Sequence, residues 1–267
     1  MSIKYAVTNL INLLTLLSVT SEDPVFVKEN LYNRRPSKPF RFAAKTGNQI
    51  LVDLATPTQI KLAAVFNHNL TAAPTQFKLK ADDSNPPAGG WDTPTWSQDF
   101  VQTANFNDAF LEIDQTFRYW MLDIDDGANA DDIEIGEFFL GVPTALSSKA
   151  FLQTRAAESP QFFVNRQMTH YGQDWTAYLA ESTRFVLTIK SMADYNLVDE
   201  ITLFLRAVQQ NAGRVVLIPN DLEPFIYYAL VETLADYGGR LLSGPDKILR
   251  QYQFVVKSLT KGIALLG

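Results

Sequence analysis

Two clusters in this 267-residue sequence hold side chains whose types and spacing could do chemistry. The first runs from Asp123 to Glu137 and contains seven acids and no base. Hard cations such as calcium take several carboxylate and carbonyl oxygens from a turning loop, so Asp123, Asp125 and Asp126 are candidate calcium ligands. Their spacing, D-x-D-D-G, is not that of the helix–loop–helix calcium loop, and the flanks read as strand; a solvated hairpin loop is the competing reading. The second cluster is Trp91 and Trp96, in a loop rich in Gly, Pro and Asp. Aromatic rings with a few polar neighbours make up sugar sites, so Trp91, Trp96 and Asp92, with Asn85 nearby, form a candidate glycan site. The competing reading folds both indoles back on the core as staples for a long loop.

Other chemistries find little material. With no cysteine, disulfide frameworks, Cys-ligated zinc, iron–sulfur clusters and thiol nucleophiles are excluded. The two histidines, His68 and His170, each sit at the junction of a strand and a turn. Both read as turn histidines rather than as catalytic bases. There is no G-x-S-x-G elbow, no G-x-G-x-x-G and no P-loop; Gly89-Gly90 and Gly238-Gly239 read as turns. Acids are plentiful enough for a glycosidase pair, but nothing selects one, so no enzyme and no cofactor beyond calcium is expected.

The net charge of −6 is unevenly spread. Residues 1–146 hold 18 acids and 11 bases, whereas 147–267 hold 11 acids and 12 bases. Two domains with different electrostatics are expected, and the acidic balance argues against nucleic-acid recognition. The apolar run Leu10–Val19 is too short to span a bilayer, as is every other run. No small-x-small cleavage site follows it, so docking as a strand or short helix is expected rather than export.

The elements that must position these clusters are mainly strands. In the first half, residues 49–54, 59–66, 75–81, 109–113, 117–124 and 133–140 carry β-branched and aromatic residues between turn signals, with 82–96 as a long loop. Many short strands joined by Pro, Gly and Asn turns predict an antiparallel jelly-roll sandwich over 1–146. The Gly141–Thr144 stretch marks the boundary. Over 147–267 the pattern predicts about five strands and one α-helix. Strands are expected at 161–169, 183–191, 214–219, 225–234 and 249–259. Leu197, Val198, Ile201, Leu205 and Val208 space a helix over 197–211, with Asp194 or Asn196 as its cap and Gly213 beyond its end.

These residues also stand in a familiar order. Leu62–Leu70 (LAAVFNHNL), the Trp-bearing loop, Phe117-Arg118-Tyr119-Trp120, Ile133-Glu134-Ile135-Gly136-Glu137 and Phe139-Leu140-Gly141 resemble the galactose-binding-like (discoidin-type) jelly rolls of tailed-phage tail proteins. The layout of 161–259, including the V-L-I-P strand, is similar to the β-sandwich-plus-helix domain of distal tail proteins, which implies a β-sandwich or barrel with one α-helix over 147–267. The resemblance implies a virion structural protein of the tail tip or baseplate, forming a hexameric ring. Its partners would be further copies of itself and the tail tube, hub and tape-measure proteins. The alternative is a carbohydrate-binding module whose partner is a host-surface glycan. The chain departs from the family in its first 45 residues, which match nothing there, and in placing the jelly roll before the ring domain rather than within it. Self-repulsion of the acidic domain would put it on the outside of such a ring.

Overall fold

The computed structural model describes residues 4–12, 14–100, 107–146, 150–155, 159–168, 174–192, 195–210, 212, 214–218, 227–234, 240–244 and 247–258. Strand β1 (Lys4–Ala6) comes first. There follow β2 (Leu16–Val19), a 3-10 turn at Lys28–Leu31, β3 (Phe40–Arg41), β4 (Asn48–Phe66), β5 (Gln76–Asp82), β6 (Trp96–Asp99) and β7 (Ala109–Asp125). Three short strands complete the first half: β8 (Glu134–Ile135), β9 (Glu137–Gly141) and β10 (Thr144–Ala145). Beyond them lie β11 (Ala150–Arg155), β12 (Ser159–Met168), β13 (Asp174–Met192), α1 (Tyr195–Gln210), β14 (Arg214–Ile218), β15 (Tyr227–Leu234), β16 (Arg240–Gly244) and β17 (Lys247–Ser258). The chain is mainly antiparallel β, with one α-helix among the described residues. It divides into two compact units, Ala6–Thr144, and Ala145–Gly267 together with Met1–Tyr5.

The first unit is built on β4 and β7. In one half of their length they lie in the order β2-β4-β7-β5-β6, and in the other half β9 joins β4. The pattern predicts two strands in each place, 49–54 with 59–66 and 109–113 with 117–124. The structure runs each pair together and changes register where they meet. Asp53 faces Tyr119 and Thr58 faces Phe117, so the residues between Asp53 and Thr58 bulge out against Arg118, with Ala55 at φ 67°. A bulge bends a strand and sharpens its twist, which lets one strand serve both layers of a sandwich.

One apolar cluster is lined by both halves. Ile50, Val52, Leu79, Trp120 and Leu122 come from one side, and Ile60, Val65, Leu111, Phe138 and Leu140 from the other. Phe40, Phe42, Ile133 and Ile135 close it around the small β3–β8 pair. Full burial of side chains this size stabilises the fold by about 2 kcal/mol each. The expected strand 133–140 is interrupted at Gly136, whose N–H donates to Phe66 O at 2.9 Å. A Cβ there would lie 2.5 Å from Pro36 O, so only glycine fits. The run at Leu10–Val19 docks as expected, with β2 along β4.

The second unit is a nine-stranded sheet in the order β10-β1-β14-β15-β17-β13-β11, with β12 on β13 and β16 on β17. Lys4 and Tyr5, read with the first domain from sequence, therefore go with this sheet, because β1 sits between β10 and β14. The expected strands at 161–169, 183–191, 214–219, 225–234 and 249–259 are present as β12 to β15 and β17, and β11 and β16 are additional. The helix starts at Tyr195, so Asn196 lies inside it rather than capping it; Asp194 and Gly213 lie outside the described residues. Ile201, Phe204, Leu205 and Val208 form its buried stripe, and the Tyr5 ring meets Phe204 edge-on at 4.8 Å.

Candidate functional site

The loop between β5 and β6 carries the candidate glycan residues, and Asp82 closes its base. Asp82 Oδ1 accepts from Ser84 N (2.9 Å) and Ser84 Oγ (2.8 Å), while Oδ2 accepts from Thr95 N (2.9 Å) and Thr95 Oγ1 (2.7 Å). Burial pushes this carboxyl upward, but the hydrogen bonds to its charged form prevail and hold it at about 2. Inside the loop, Gly90 N donates to Pro87 O at 2.8 Å and Thr93 N to Gly90 O at 3.2 Å. Gly90 takes φ 74°, the left-handed region that glycine enters without strain.

The two tryptophans part company here. Trp96 begins β6 opposite Ala81, and its ring meets the buried Trp120 at 5.9 Å in an edge arrangement. It packs against the core and acts as the staple. Trp91 stays half-buried in the loop, with its indole N–H donating to Asn85 Oδ1 at 3.3 Å. The polar edge of the ring is thus occupied within the loop, and Asp92 beside it is exposed.

The same loop is tied to the β4–β7 bulge. Asp83 Oδ1 accepts from Arg118 N at 3.1 Å. Arg118 pairs in fork fashion with Asp53, Nε to Oδ1 and Nη2 to Oδ2, both 2.8 Å. Asp53 Oδ1 also accepts from Ala55 N at 2.7 Å, which holds the bulge. The Arg118 guanidinium lies 4.7 Å above the Tyr119 ring. Its hydrogen bonds lower the Asp53 carboxyl against the opposing effect of burial. In the sequence Arg118 and Tyr119 stand out as part of the family pattern, whereas nothing singles out Asp53 itself. The available signal was the turn-forming D-L-A-T-P run, Asp53 to Pro57, inside an otherwise β-rich stretch.

The acidic run does not assemble into a cation cage. Asp123 is buried and paired with the equally buried Lys80, Nζ to Oδ2 at 2.5 Å, and the same oxygen accepts from Gln76 Nε2 at 2.6 Å. Asp126 is 1% exposed and accepts from Thr71 N, Thr71 Oγ1 and Asn129 Nδ2. Asp125 ends β7, opposite Gln76. The carbonyl oxygens of Asn129 and Ala130 both accept from Lys45 Nζ at 2.9 Å. Two lysine ammonium groups thus supply positive charge where the sequence suggested calcium. Among the described residues no group of three or more His, Cys, Asp or Glu could hold a metal ion.

His68 is 1% exposed. Its Nδ1 accepts from Leu70 N at 3.3 Å, its ring meets Phe77 edge-on, and its Nε2 has no hydrogen-bond partner. Burial pushes it down to about 4, against the pull of Asp126. A neutral imidazole with no carboxylate to orient it and no nucleophile bonded to it is a packing group. His170 lies outside the described residues.

No family model and no curated protein matches this sequence. Among solved structures, the chain is similar to a Streptococcus pneumoniae fucose binding module, SpX-3. The TM-score is 0.39 at 11% identity, over 51% of this chain and 98% of that one. It is similar to a mutant of the lectin binding domain of Lectinolysin complexed with Lewis b, with TM-score 0.40 and 10% identity over 51% and 96%. It is also similar to reduced XRCC1 bound to the DNA pol beta catalytic domain, with TM-score 0.36 and 16% identity over 50% and 99%.

Proposed function

We propose that the unit Ala6–Thr144 is a carbohydrate-binding module and not a catalyst. Trp91 is its stacking platform, Asp92 bonds hydroxyls, and the Asp53–Arg118 pair lies on the structure to which the loop is tied. The observation that carries this reading is the division of labour between the tryptophans. Trp96 packs against Trp120 and the core, whereas Trp91 is half-buried in a loop closed by Asp82, its indole N–H bonded within that loop to Asn85. Sugar rings present patches of C–H groups to aromatic faces, and the surrounding polar groups fix their orientation. The full chain on a glycan array, followed by titration calorimetry of the best ligand, tests it. Trp91→Ala is expected to raise the Kd at least tenfold, about 1.4 kcal/mol, without lowering Tm. An array with no saturable ligand, or unchanged affinity in Trp91→Ala, overturns it.

A second reading, a ring-forming subunit of a phage tail tip located in the virion, is favoured by one feature of the other unit. Strand β12 pairs with β13 over residues 174–184, whereas among the described residues β17 joins β13 from Arg184 onward and β11 from Leu187. Ten-residue strands make a ribbon about 30 Å long. A two-stranded ribbon is marginal in water, and its edges offer unpaired N–H and C=O groups to another chain. The two readings are compatible, since each rests on a different unit of the chain.

A further inference from the structure

The unit Ala6–Thr144 is strongly acidic, yet residues 30–52 contain Arg34, Arg35, Lys38, Arg41 and Lys45 and no acid. Arg41 is paired with Glu134, and Lys45 is spent on two carbonyl oxygens. Arg35 and Lys38 are exposed and have no ion pair among the described residues. They occupy the two ends of a β-turn, in which Lys38 N donates to Arg35 O at 2.8 Å. Turn geometry keeps the Cα atoms of such residues within about 7 Å. Asn33 Oδ1 accepts from Arg35 N at 2.7 Å, and Asn30, 2% exposed, bridges from Asn33 to Pro39 O. Pro36, in the middle of the turn, is buried and accepts from Asn67 Nδ2 at 2.7 Å. The turn is thus fixed from beneath, with its cations outward. Arg34 beside it has φ 61°, a left-handed conformation that a long side chain adopts only under strain.

We infer that Arg35 and Lys38 form an anion-binding site, separate from the Trp91 loop, for sulfate or phosphate groups on an acidic polysaccharide. A guanidinium fork and a neighbouring ammonium suit the oxygens of such a group, and a pre-formed turn binds it without ordering cost. The nearby acids are already engaged or lie outside the turn. Asp108 accepts from Asn67 N, Glu134 from Arg41, and Glu29 sits on the preceding 3-10 turn. The positive region spans one turn of a chain whose net charge is −6. A DNA duplex, with a charge every ~1.7 Å along its axis, needs a longer basic stripe. A membrane surface would need apolar anchors, and Leu31, Pro36 and Phe40 are buried beneath the turn. A polysaccharide with separated sulfate or phosphate groups fits a single turn.

The test uses the full chain and three probes: dextran sulfate, unsulfated dextran and duplex DNA. Binding of dextran sulfate but not dextran is expected at about 0.1 M salt, weakening as salt rises. The double variant Arg35→Gln/Lys38→Gln loses about tenfold or more in affinity with Tm unchanged, because both side chains are exposed. Trp91→Ala leaves dextran sulfate binding intact, which separates this site from the proposed sugar platform. No binding of dextran sulfate, unchanged affinity in the double variant, or tighter binding of the duplex overturns the inference.

Discussion

At the scale of single residues, the buried polar groups are those whose charge state is set by packing. The ordinary pKa of His68, near 6.5, falls to about 4 in the fold. Between those values the unfolded chain holds a proton that the folded chain rejects, so acidification favours unfolding. Stability is therefore expected to fall as pH drops from about 6.5 to about 4, by roughly 3 kcal/mol in total. Asp82 works in a different window. Its depressed carboxyl contributes stability above its ordinary value near 3.8, which is lost only as pH falls towards about 2. Urea unfolding at pH 7, 5 and 4 tests the assignment: His68→Leu should flatten the slope in that window, and a variant with the parent's slope would refute it. The Lys80–Asp123 pair illustrates burial of charge in an ion pair. Each charge is tolerable inside because the other is there, and removing one partner from such a pair commonly costs 3–5 kcal/mol.

At the scale of elements, the turn Asn67–Leu70 holds loops together. Asn67 reaches Pro36 O, His68 N donates to Asn107 O, and the Asn69 side chain bonds Asp132 O and Glu134 N. Gly136 lets the chain pass beneath Pro36 at a distance no side chain permits. Gly136→Ala is expected to destabilise the fold by about 2 kcal/mol through overpacking, read as a lowered urea midpoint at unchanged m. It should also weaken anion binding, because Pro36 is the centre of the Arg35–Lys38 turn. A fully stable alanine variant would show that the backbone gives way more easily than these contacts imply. The strands were largely legible from alternation and turn residues. Their continuity was not, because the break at Asp53–Thr58 looks in sequence like an ordinary turn. Only its pairing across to Phe117 and Tyr119 makes it a bulge within one strand.

At the scale of the whole molecule, the second unit carries the features suited to joining copies of the chain. The ribbon of β12 and β13 and the near-balance of charge over 147–267 suit contact between copies. Assembly covers strand edges that are a liability in a monomer. Light scattering of the full chain is expected to give a defined multiple of its 30.0 kDa mass. A monomer at every concentration up to about 100 μM would remove the ring reading and leave the carbohydrate-binding reading untouched.

The sequence by itself determined the mainly β character, the helix that follows β13, the long loop that holds Trp91 and the uneven charge. Each of these follows from local periodicity, turn chemistry or composition, which act over a few residues. Tertiary structure alone decided that Trp96 belongs to the core and Trp91 to the loop, since the two indoles differ only in what lies opposite them. It also decided that Asp123 meets Lys80, that Lys45 reaches the carbonyl oxygens of Asn129 and Ala130, and that Arg118 meets Asp53. Those partners stand 43 to 85 positions apart in the chain. Which distant charge neutralises which is fixed by strand register and by the cost of burying it alone, and no local pattern encodes either.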